Sequence, residues 1–316
     1  MSLCLSVRCL IPQNPDNAKF CLSCGAKLRL GDRYRALKLI GHGGFGRTFL
    51  AIDEQMPSHP TCVIKQLFPQ MQNTEAAKKA AELFEQEALR LDQLAHGQIP
   101  KLLAHLTQDR CQYLIQTYIE GETLAQELAR TGAFKPDQIR QLLVDLLPVL
   151  QYLHDRQVIH RDVKPENIVR RASDGRLVLV DFGASKLATA SNLGQTGTAI
   201  GSAGYAAPEQ VGGKATFASD LYGLGVTCLH LMTGVPPFEL FSFVEGRWVW
   251  RDYLPDTIDT RLAAVLDRLV EPAITRRFAS AMAALQALKI APTVPSALVS
   301  GWQCEQTLEA HTSSIS

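Results

Sequence analysis

The sequence has no run of the 18 or so apolar residues needed to cross a bilayer. The best candidate, Leu142–Leu153, is interrupted by Asp145 and Pro148. There is almost no excess of charge: Lys+Arg 32 against Asp+Glu 31 leaves a formal net charge of +1. That balance disfavours a polybasic nucleic-acid or membrane-surface protein. Internal repeats and low-complexity tracts are missing, and 46% hydrophobic with 20% charged residues is too apolar for a disordered chain. The opening, MSLCLSVRCLIP, has no cationic stretch before its short apolar run and no small-residue cleavage site. It argues against export and for a cytoplasmic protein.

What is present is enough chain for a full core. The 316 residues suggest about two domains, at roughly 100–200 residues each. Of the 8 cysteines, Cys4, Cys9, Cys21 and Cys24 fall at the very start. In a chain without an export signal, such clustering points to a metal before a disulfide framework. The spacing C-x4-C…C-x2-C would place paired thiolates on one tetrahedral ion, with Gly25 permitting the turn after the second pair. Four thiolates leave no open position, so the ion would be structural. About 30 residues make too small a core to fold alone, and zinc would supply the missing free energy.

Four segments follow from composition. Residues 1–30 form the four-Cys module, residues 33–120 are strand-rich with one amphipathic helix, residues 121–289 are helical in pattern, and residues 290–316 are linker-like. In YRALKLIGHGGFGRTFLAID, Leu37, Leu39 and Phe49 alternate around a Gly cluster, as in a hairpin. Cys62–Phe68 reads as a third strand. Ala76–Leu94 reads as a helix whose stripe runs through Phe84, Leu91 and Leu94, with Glu87 on the same stripe. A buried carboxylate there needs a cation from another element. A second helix begins near Pro136 and carries a stripe through Ile139, Leu142, Leu143, Leu146, Leu147, Leu150 and Leu153. Pro148 should kink it. A further buried helix follows Asp220.

Gly41, Gly43 and Gly46, with Gly44 between them, fit G-x-G-x-x-G. A dinucleotide-binding fold would need a helix directly after this loop and an acid about 20 residues on. Here a strand follows, and the downstream residue is Lys65. The loop therefore joins two antiparallel strands whose exposed backbone N–H groups can approach phosphates. Lys65 has the right sign to pair with Glu87 and hold polyphosphate oxygens.

Three further stretches decide the reading: Val158-Ile159-His160-Arg161-Asp162-Val163-Lys164-Pro165-Glu166-Asn167, then Asp181-Phe182-Gly183 after a buried strand at Leu177–Val180, then Ala207-Pro208-Glu209. With the Gly loop, Lys65 and Glu87, they resemble in order and spacing the eukaryotic-like Ser/Thr protein kinases of bacteria, over roughly residues 34–288. The resemblance implies an α+β, two-lobed protein-kinase fold over residues 33–289, with a β-rich first lobe and a helical second one. It also implies an ATP- and Mg²⁺- or Mn²⁺-dependent enzyme acting on Ser or Thr hydroxyls of proteins.

By that resemblance, Gly41, Gly43, Gly44 and Gly46 would cover the phosphates. Lys65 would contact the α/β-phosphates and pair with Glu87. Asp162 would accept or orient the substrate hydroxyl proton, Lys164 would sit near the transferring phosphate, and Asn167 and Asp181 would hold Mg²⁺. Gln116 would take the gatekeeper position, with backbone groups of Thr117 and Ile119 meeting the adenine edge. Val63 stands where the family has a small Ala. Asp220 would bond the catalytic-loop backbone, and Arg277 would pair with Glu209.

Arg161 before Asp162 resembles the kinases activated by loop phosphorylation. Between Leu187 and Pro208 there is no charged residue to substitute for a phosphate. Thr189, Ser191, Thr196 and Thr198 are candidate sites, Thr196 and Thr198 foremost, and Ser202 would lend structural or catalytic support. The four-Cys module resembles the zinc ribbon fused ahead of some bacterial kinases; a docking or regulatory role is expected of it, and the sequence names no partner. Its Arg8, Lys19, Lys27 and Arg29 outweigh Asp16, but four zinc-bound thiolates would cancel most of that charge and disfavour nucleic acid. Residues Trp302–His311 resemble the opening of a WD-repeat blade, too short to fold as one. The rival to a working enzyme is a pseudokinase scaffold, against which intact Lys65, Glu87, Asp162, Asn167 and Asp181 argue.

Overall fold

A computed structural model describes residues 1–43, 46–67, 75–181, 204–254 and 257–289; the side chains at 75–80, 83 and 87 lie outside the described set. Gly44, Thr189, Ser191, Thr196, Thr198, Ser202 and the segment Trp302–His311 also lie outside it.

Three two-residue strands come first: Ser2–Leu3 (β1), Gln13–Asn14 (β2) and Arg29–Leu30 (β3). The Gly cluster closes the expected hairpin between Tyr34–Gly43 (β4) and Gly46–Asp53 (β5). Thr61–Leu67 (β6), the helix Glu75–Asp92 (α1), Leu102–Gln108 (β7) and Cys111–Thr117 (β8) complete the first lobe. Its sheet has six strands in the order β3-β4-β5-β6-β8-β7, all paired antiparallel.

Strand alternation sorts this sheet into two faces. Phe49, Ala51, Cys62, Ile64, Tyr113 and Ile115 share one face, packed with Leu5 and Leu30 from the cysteine segment. Leu67 and Leu114 pack on the other face against Phe84 and Ala88 of α1. The hairpin departs from the simple alternation expected. Tyr34 and Ala36 are buried, whereas Leu39 is 43% exposed. Register shifts between Ala36 and Lys38, and between Leu39 and Gly41, reset which side chains face inward.

The second lobe starts at Gly121–Thr123 (β9), which pairs with Ile168–Arg171 (β10); β10 pairs in turn with Leu177–Leu179 (β11). Its helices are Leu124–Thr131 (α2), Pro136–Asp155 (α3), Pro208–Val211 (α4), Phe217–Thr233 (α5), Pro237–Leu240 (α6), Thr260–Leu269 (α7) and Ala281–Lys289 (α8). Every residue of the α3 stripe named above is buried in one core with α5, α7 and α8. The helix α3 runs on through Pro148, whose side chain is exposed. The turn that loses its hydrogen bond thus lies on the wet side of the helix. The buried helix starts at Phe217, not at Asp220, where Ser219 Oγ accepts from the Thr216 backbone N–H at 2.9 Å.

Candidate active site

The phosphate-loop hairpin is held close to β6. Gly46 sits opposite Leu67, and a Cβ built on it would lie 2.2 Å from the Gln66 carbonyl oxygen. Only glycine fits this approach without moving one strand off the other. Gly46→Ala is expected to cost about 1–3 kcal/mol of stability by overpacking. It should also weaken nucleotide binding; thermal melting and nucleotide titration measure the two separately.

Lys65 faces Thr48 on one side and Leu114 on the other. Its ammonium group forms an ion pair with Asp181, Nζ to Oδ1 2.8 Å. The lysine expected on the phosphates and the acid expected on the metal therefore meet at one point. Asp181 reaches it from a backbone at φ 62°, a left-handed conformation that costs a non-glycine residue about 1–3 kcal/mol. Glu87 lies in α1, but its side chain is among those outside the described set.

Val63 pairs across the sheet with Gln116, which is 4% exposed, and the Gln116 Nε2 is buried without a partner among the described residues. An orphaned buried amide is uncommon and marks a place where an acceptor would be stabilised. The Thr117 N–H is committed to the Lys101 carbonyl at 3.0 Å, so only the Thr117 carbonyl could meet a base edge.

The segment His160–Asn167 is fixed by side chains from several elements. Asp220 of α5 accepts from the backbone N–H of His160 at 2.9 Å and of Arg161 at 2.8 Å, and its Oδ2 lies 3.0 Å from His154 Nε2. Gln210 donates to the Arg161 carbonyl at 2.8 Å, and Thr227 to the Val163 carbonyl at 3.2 Å. These bonds hold Arg161 at φ 68°, another strained non-glycine position. His160 is fully buried. Its Nδ1 accepts from Asp162 N–H at 3.3 Å, and its Nε2 lies 3.2 Å from the Val180 carbonyl. That pattern assigns a neutral ring protonated at Nε2. Burial agrees, holding its pKa below the ordinary value despite the nearby carboxylates.

Asp162 is 6% exposed. Asn167 Nδ2 donates to its carbonyl at 2.9 Å and to its Oδ2 at 2.5 Å, and Lys164 Nζ lies 3.6 Å from the same Oδ2. With the Asn167 amide nitrogen committed to Asp162, the Asn167 Oδ1 is the atom a cation would take. Together with the Asp181 carboxylate it supplies hard oxygens of the type Mg²⁺ or Mn²⁺ binds. The donor set therefore fits such an ion.

Farther from the cleft, Arg277 meets Glu209 through Nη1 at 2.6 Å and Nη2 at 2.8 Å, as expected from the sequence.

A second cluster lies in residues 1–30. The Sγ atoms of Cys4, Cys9, Cys21 and Cys24 are all within 4.8 Å of one another. Cys4 lies 3.6 Å from Cys24, and Cys9 3.6 Å from Cys21. Disulfide sulfurs are about 2.05 Å apart. Four bonds of about 2.3 Å at tetrahedral angles would separate sulfurs by about 3.8 Å. The cluster fits the second geometry. Gly25, at φ 74°, makes the turn that returns its N–H to the Cys21 carbonyl at 2.9 Å. Burial alone would raise the Cys21 thiol, but N–H groups of Cys24 and Ser23 and the Asn14 amide outweigh it and bring the pKa to about 6. Burial pushes the Cys4 thiol well up.

A sequence profile described as "Protein kinase domain" matches residues 34–286. The chain belongs to the protein kinase family. "Serine/threonine-protein kinase B" of Synechocystis sp. (strain ATCC 27184 / PCC 6803 / Kazusa) is 40% identical over 311 residues, covering 95% of this chain and 54% of that protein. "Serine/threonine-protein kinase PknA" of Nostoc sp. (strain PCC 7120 / SAG 25.82 / UTEX 2576) is 40% identical over 279 residues, covering 84% of this chain and 49% of that one. The chain thus spans about half the length of these curated relatives. A solved structure titled "PpkA-294 apo form" superposes with a TM-score of 0.66 at 22% identity, covering 81% of this chain and 96% of that one; with the family match this gives the two-lobed kinase fold.

Of the sequence-derived residues, Asp162, Lys164 and Asn167 form one cluster, and Lys65 meets Asp181, which follows Val180, whose N–H bonds the Asn167 carbonyl. Gly41, Gly43 and Gly46 lie on the β4–β5 hairpin, Val63 on β6 with Lys65, and Gln116 and Thr117 on β8. Ile119 lies just after β8, on the link between the lobes. Sequence reasoning gave His160 no role, although it quoted it. It missed Gln210 and Thr227, whose contacts join residues about 50 to 60 positions apart and leave no local signature. Among the described residues, no helix of this kinase is long and apolar enough to cross a membrane.

Proposed function

We propose that this chain is an ATP-dependent protein serine/threonine kinase, transferring the γ-phosphoryl group of ATP to Ser or Thr hydroxyls of other proteins in a cytoplasmic signalling role. The observation that carries the proposal is the cluster of Asp162, Lys164 and Asn167 beside the Lys65–Asp181 pair, the two joined where the Val180 N–H donates to the Asn167 carbonyl at 2.8 Å. Phosphoryl transfer asks little covalent work of a protein, so catalysis is positioning and charge stabilisation. Asp162 Oδ orients the acceptor hydroxyl and takes its proton as the oxygen bonds to the γ-phosphorus and the bond to the β-phosphate oxygen breaks, leaving ADP. Lys164 offsets charge on the transferring group, and Lys65 that on the α- and β-phosphates. Asn167 and Asp181 would hold Mg²⁺ or Mn²⁺, which supplies neutralisation of phosphate charge. Gly41, Gly43, Gly44 and Gly46 cover the phosphates. Val63, Gln116, Thr117 and Ile119 surround the base, with the orphaned Gln116 amide as a donor toward it.

Activation by phosphorylation of Thr196 or Thr198 belongs to the same proposal. Among the described residues, Arg161 Nε is buried without a hydrogen-bond partner, and burial followed by the charge of Arg90 depresses its pKa. A buried guanidinium that also feels the charge of Arg90 favours an anion nearby. The test is incubation of the purified chain with ATP and Mg²⁺ beside an Asp162→Asn control, with phosphosites mapped by mass spectrometry. Phosphate on Thr196 or Thr198 in the wild type alone supports the proposal. Nucleotide binding with no transfer to any protein sinks it.

The four-cysteine cluster is proposed to hold a structural Zn²⁺, with docking of other proteins as the module's further role. Supporting this are the sulfur separations and the four-thiolate donor set. Stripping metal with a strong chelator is expected to expose residues 1–30 to protease while the second lobe stays resistant. Unchanged cleavage would remove the zinc assignment. For residues Trp302–His311, the likeness to a WD-repeat opening rests on sequence pattern alone.

A further inference from the structure

The cysteine segment reaches into the root of the phosphate loop. Leu5 follows the buried Cys4 and is itself 6% exposed, packed on the sheet face that carries Phe49, Ile64 and Tyr113. Its carbonyl oxygen accepts two hydrogen bonds, from Arg47 Nη2 at 2.7 Å and Gln66 Nε2 at 2.7 Å. The Gln66 Oε1 accepts from Arg47 Nε at 3.0 Å and Nη2 at 2.8 Å, and its Nε2 also reaches the Tyr113 hydroxyl at 3.1 Å. Gln66 is 2% exposed and Tyr113 3%.

Two of these residues adjoin the catalytic apparatus. Arg47 directly follows Gly46, the last glycine of the loop, and Gln66 directly follows Lys65. Arg47 and Gln66 are cross-strand partners in the β5–β6 ladder. Alternation turns Lys65 to one face and Gln66 to the other. One carbonyl from residue 5 thus closes a hydrogen-bonded ring across the two strands that carry the loop and the lysine. Buried donors left without that acceptor would carry the full desolvation cost. Burial already holds the Arg47 pKa below its ordinary value.

We infer that Arg47 and Gln66 are positioning residues for the nucleotide: the Leu5 carbonyl of the four-cysteine segment holds them in register and so sets where Gly46 and Lys65 stand relative to ATP. This rests on the kinase reading above. It gives residues 1–30 a part in nucleotide binding that is separate from docking other proteins.

The test uses the full chain, titrated with ATP and Mg²⁺ by calorimetry, with initial rates measured in parallel. Gln66→Leu and Arg47→Met are expected to weaken ATP binding and raise KM for ATP by roughly 5- to 30-fold, with kcat at saturating ATP within about threefold. Arg47→Lys, which keeps one donor to the carbonyl, should recover part of the loss. Leu5→Ala trims the packing but keeps the carbonyl; it should lower the melting temperature and leave ATP affinity within about twofold. Arg47 is only half-buried, so Arg47→Met carries the test should Gln66→Leu fail to fold. Variants that bind ATP like the wild type would overturn the inference. So would Leu5→Ala weakening ATP as much as they do, since the segment would then act as cover alone. A wild-type chain that binds no ATP would instead overturn the kinase reading on which the inference rests.

Discussion

Replacing Asp162 by Asn is expected to lower kcat about 10²- to 10⁴-fold while leaving the ATP dissociation constant within about twofold. The substitution keeps the shape of the side chain and removes its basicity. Asn167 Nδ2 and Lys164 both face the Asp162 Oδ2, so an amide there must offer its oxygen to them and turn its NH₂ group toward the acceptor hydroxyl. Nothing then takes the proton. The loop itself should not move. Its backbone is held by Asp220, Gln210, Thr227 and His160, and none of those bonds uses the Asp162 side chain. A coupled ADP-release assay on a protein substrate gives kcat, and calorimetry gives affinity. A loss smaller than tenfold would mean that Asp162 does not handle the proton.

Arg277→Ala should be the most destabilising of the single changes considered, at about 3–5 kcal/mol, because it removes a fully buried guanidinium and leaves the partly buried Glu209 carboxylate without its charge partner. The guanidinium does more than pair. It donates to the carbonyls of Glu271 at 2.5 Å, Pro272 at 2.9 Å and Ala218 at 3.1 Å, and stacks 4.8 Å from the Tyr222 ring centre. For a chain of this size the loss corresponds to a fall in melting temperature of roughly 6–20 °C. Burial pushes the Glu209 carboxyl up, but Arg277 and Ser219 outweigh it and hold its pKa below 4.5. The carboxylate's contribution to stability is therefore present above that value and lost as the pH falls through the lowered one. Melting followed by circular dichroism at neutral pH and near pH 3 checks both. The gap between wild type and variant should narrow in acid; a gap that stays constant would show that the ion pair is not the source.

Much of the site could be read from the sequence because its parts are local strings. Lys65, Asp162, Lys164, Asn167 and Asp181 each sit in a short motif, and the α3 stripe declares itself by helical spacing. The Asp220 and Arg277 contacts are long-range, and they were legible only through the resemblance to a family. What escaped has a physical reason in each case. The register shifts in β4 break the period on which the alternation of Leu37 and Leu39 depended. The meeting of Lys65 with Asp181 joins a strand of one lobe to the end of a strand segment in the other, and both charges had been assigned elsewhere. The bonds of Arg47 and Gln66 to Leu5 run to a main-chain oxygen, which any residue supplies and no motif encodes.

The sheet face behind the nucleotide lobe bears on how such chains are divided. The match to the kinase family begins at residue 34, yet Leu5 and Leu30 belong to the same buried cluster as Tyr34, Phe49, Ile64 and Ile115. Homology and burial therefore draw the border in different places. A polypeptide cut at the homology border would present a bare aromatic and aliphatic sheet surface, of the kind that drives self-association. The unit of solubility, and of recombinant expression or transplantation into another protein, therefore includes Leu5 and Leu30 ahead of the kinase motif.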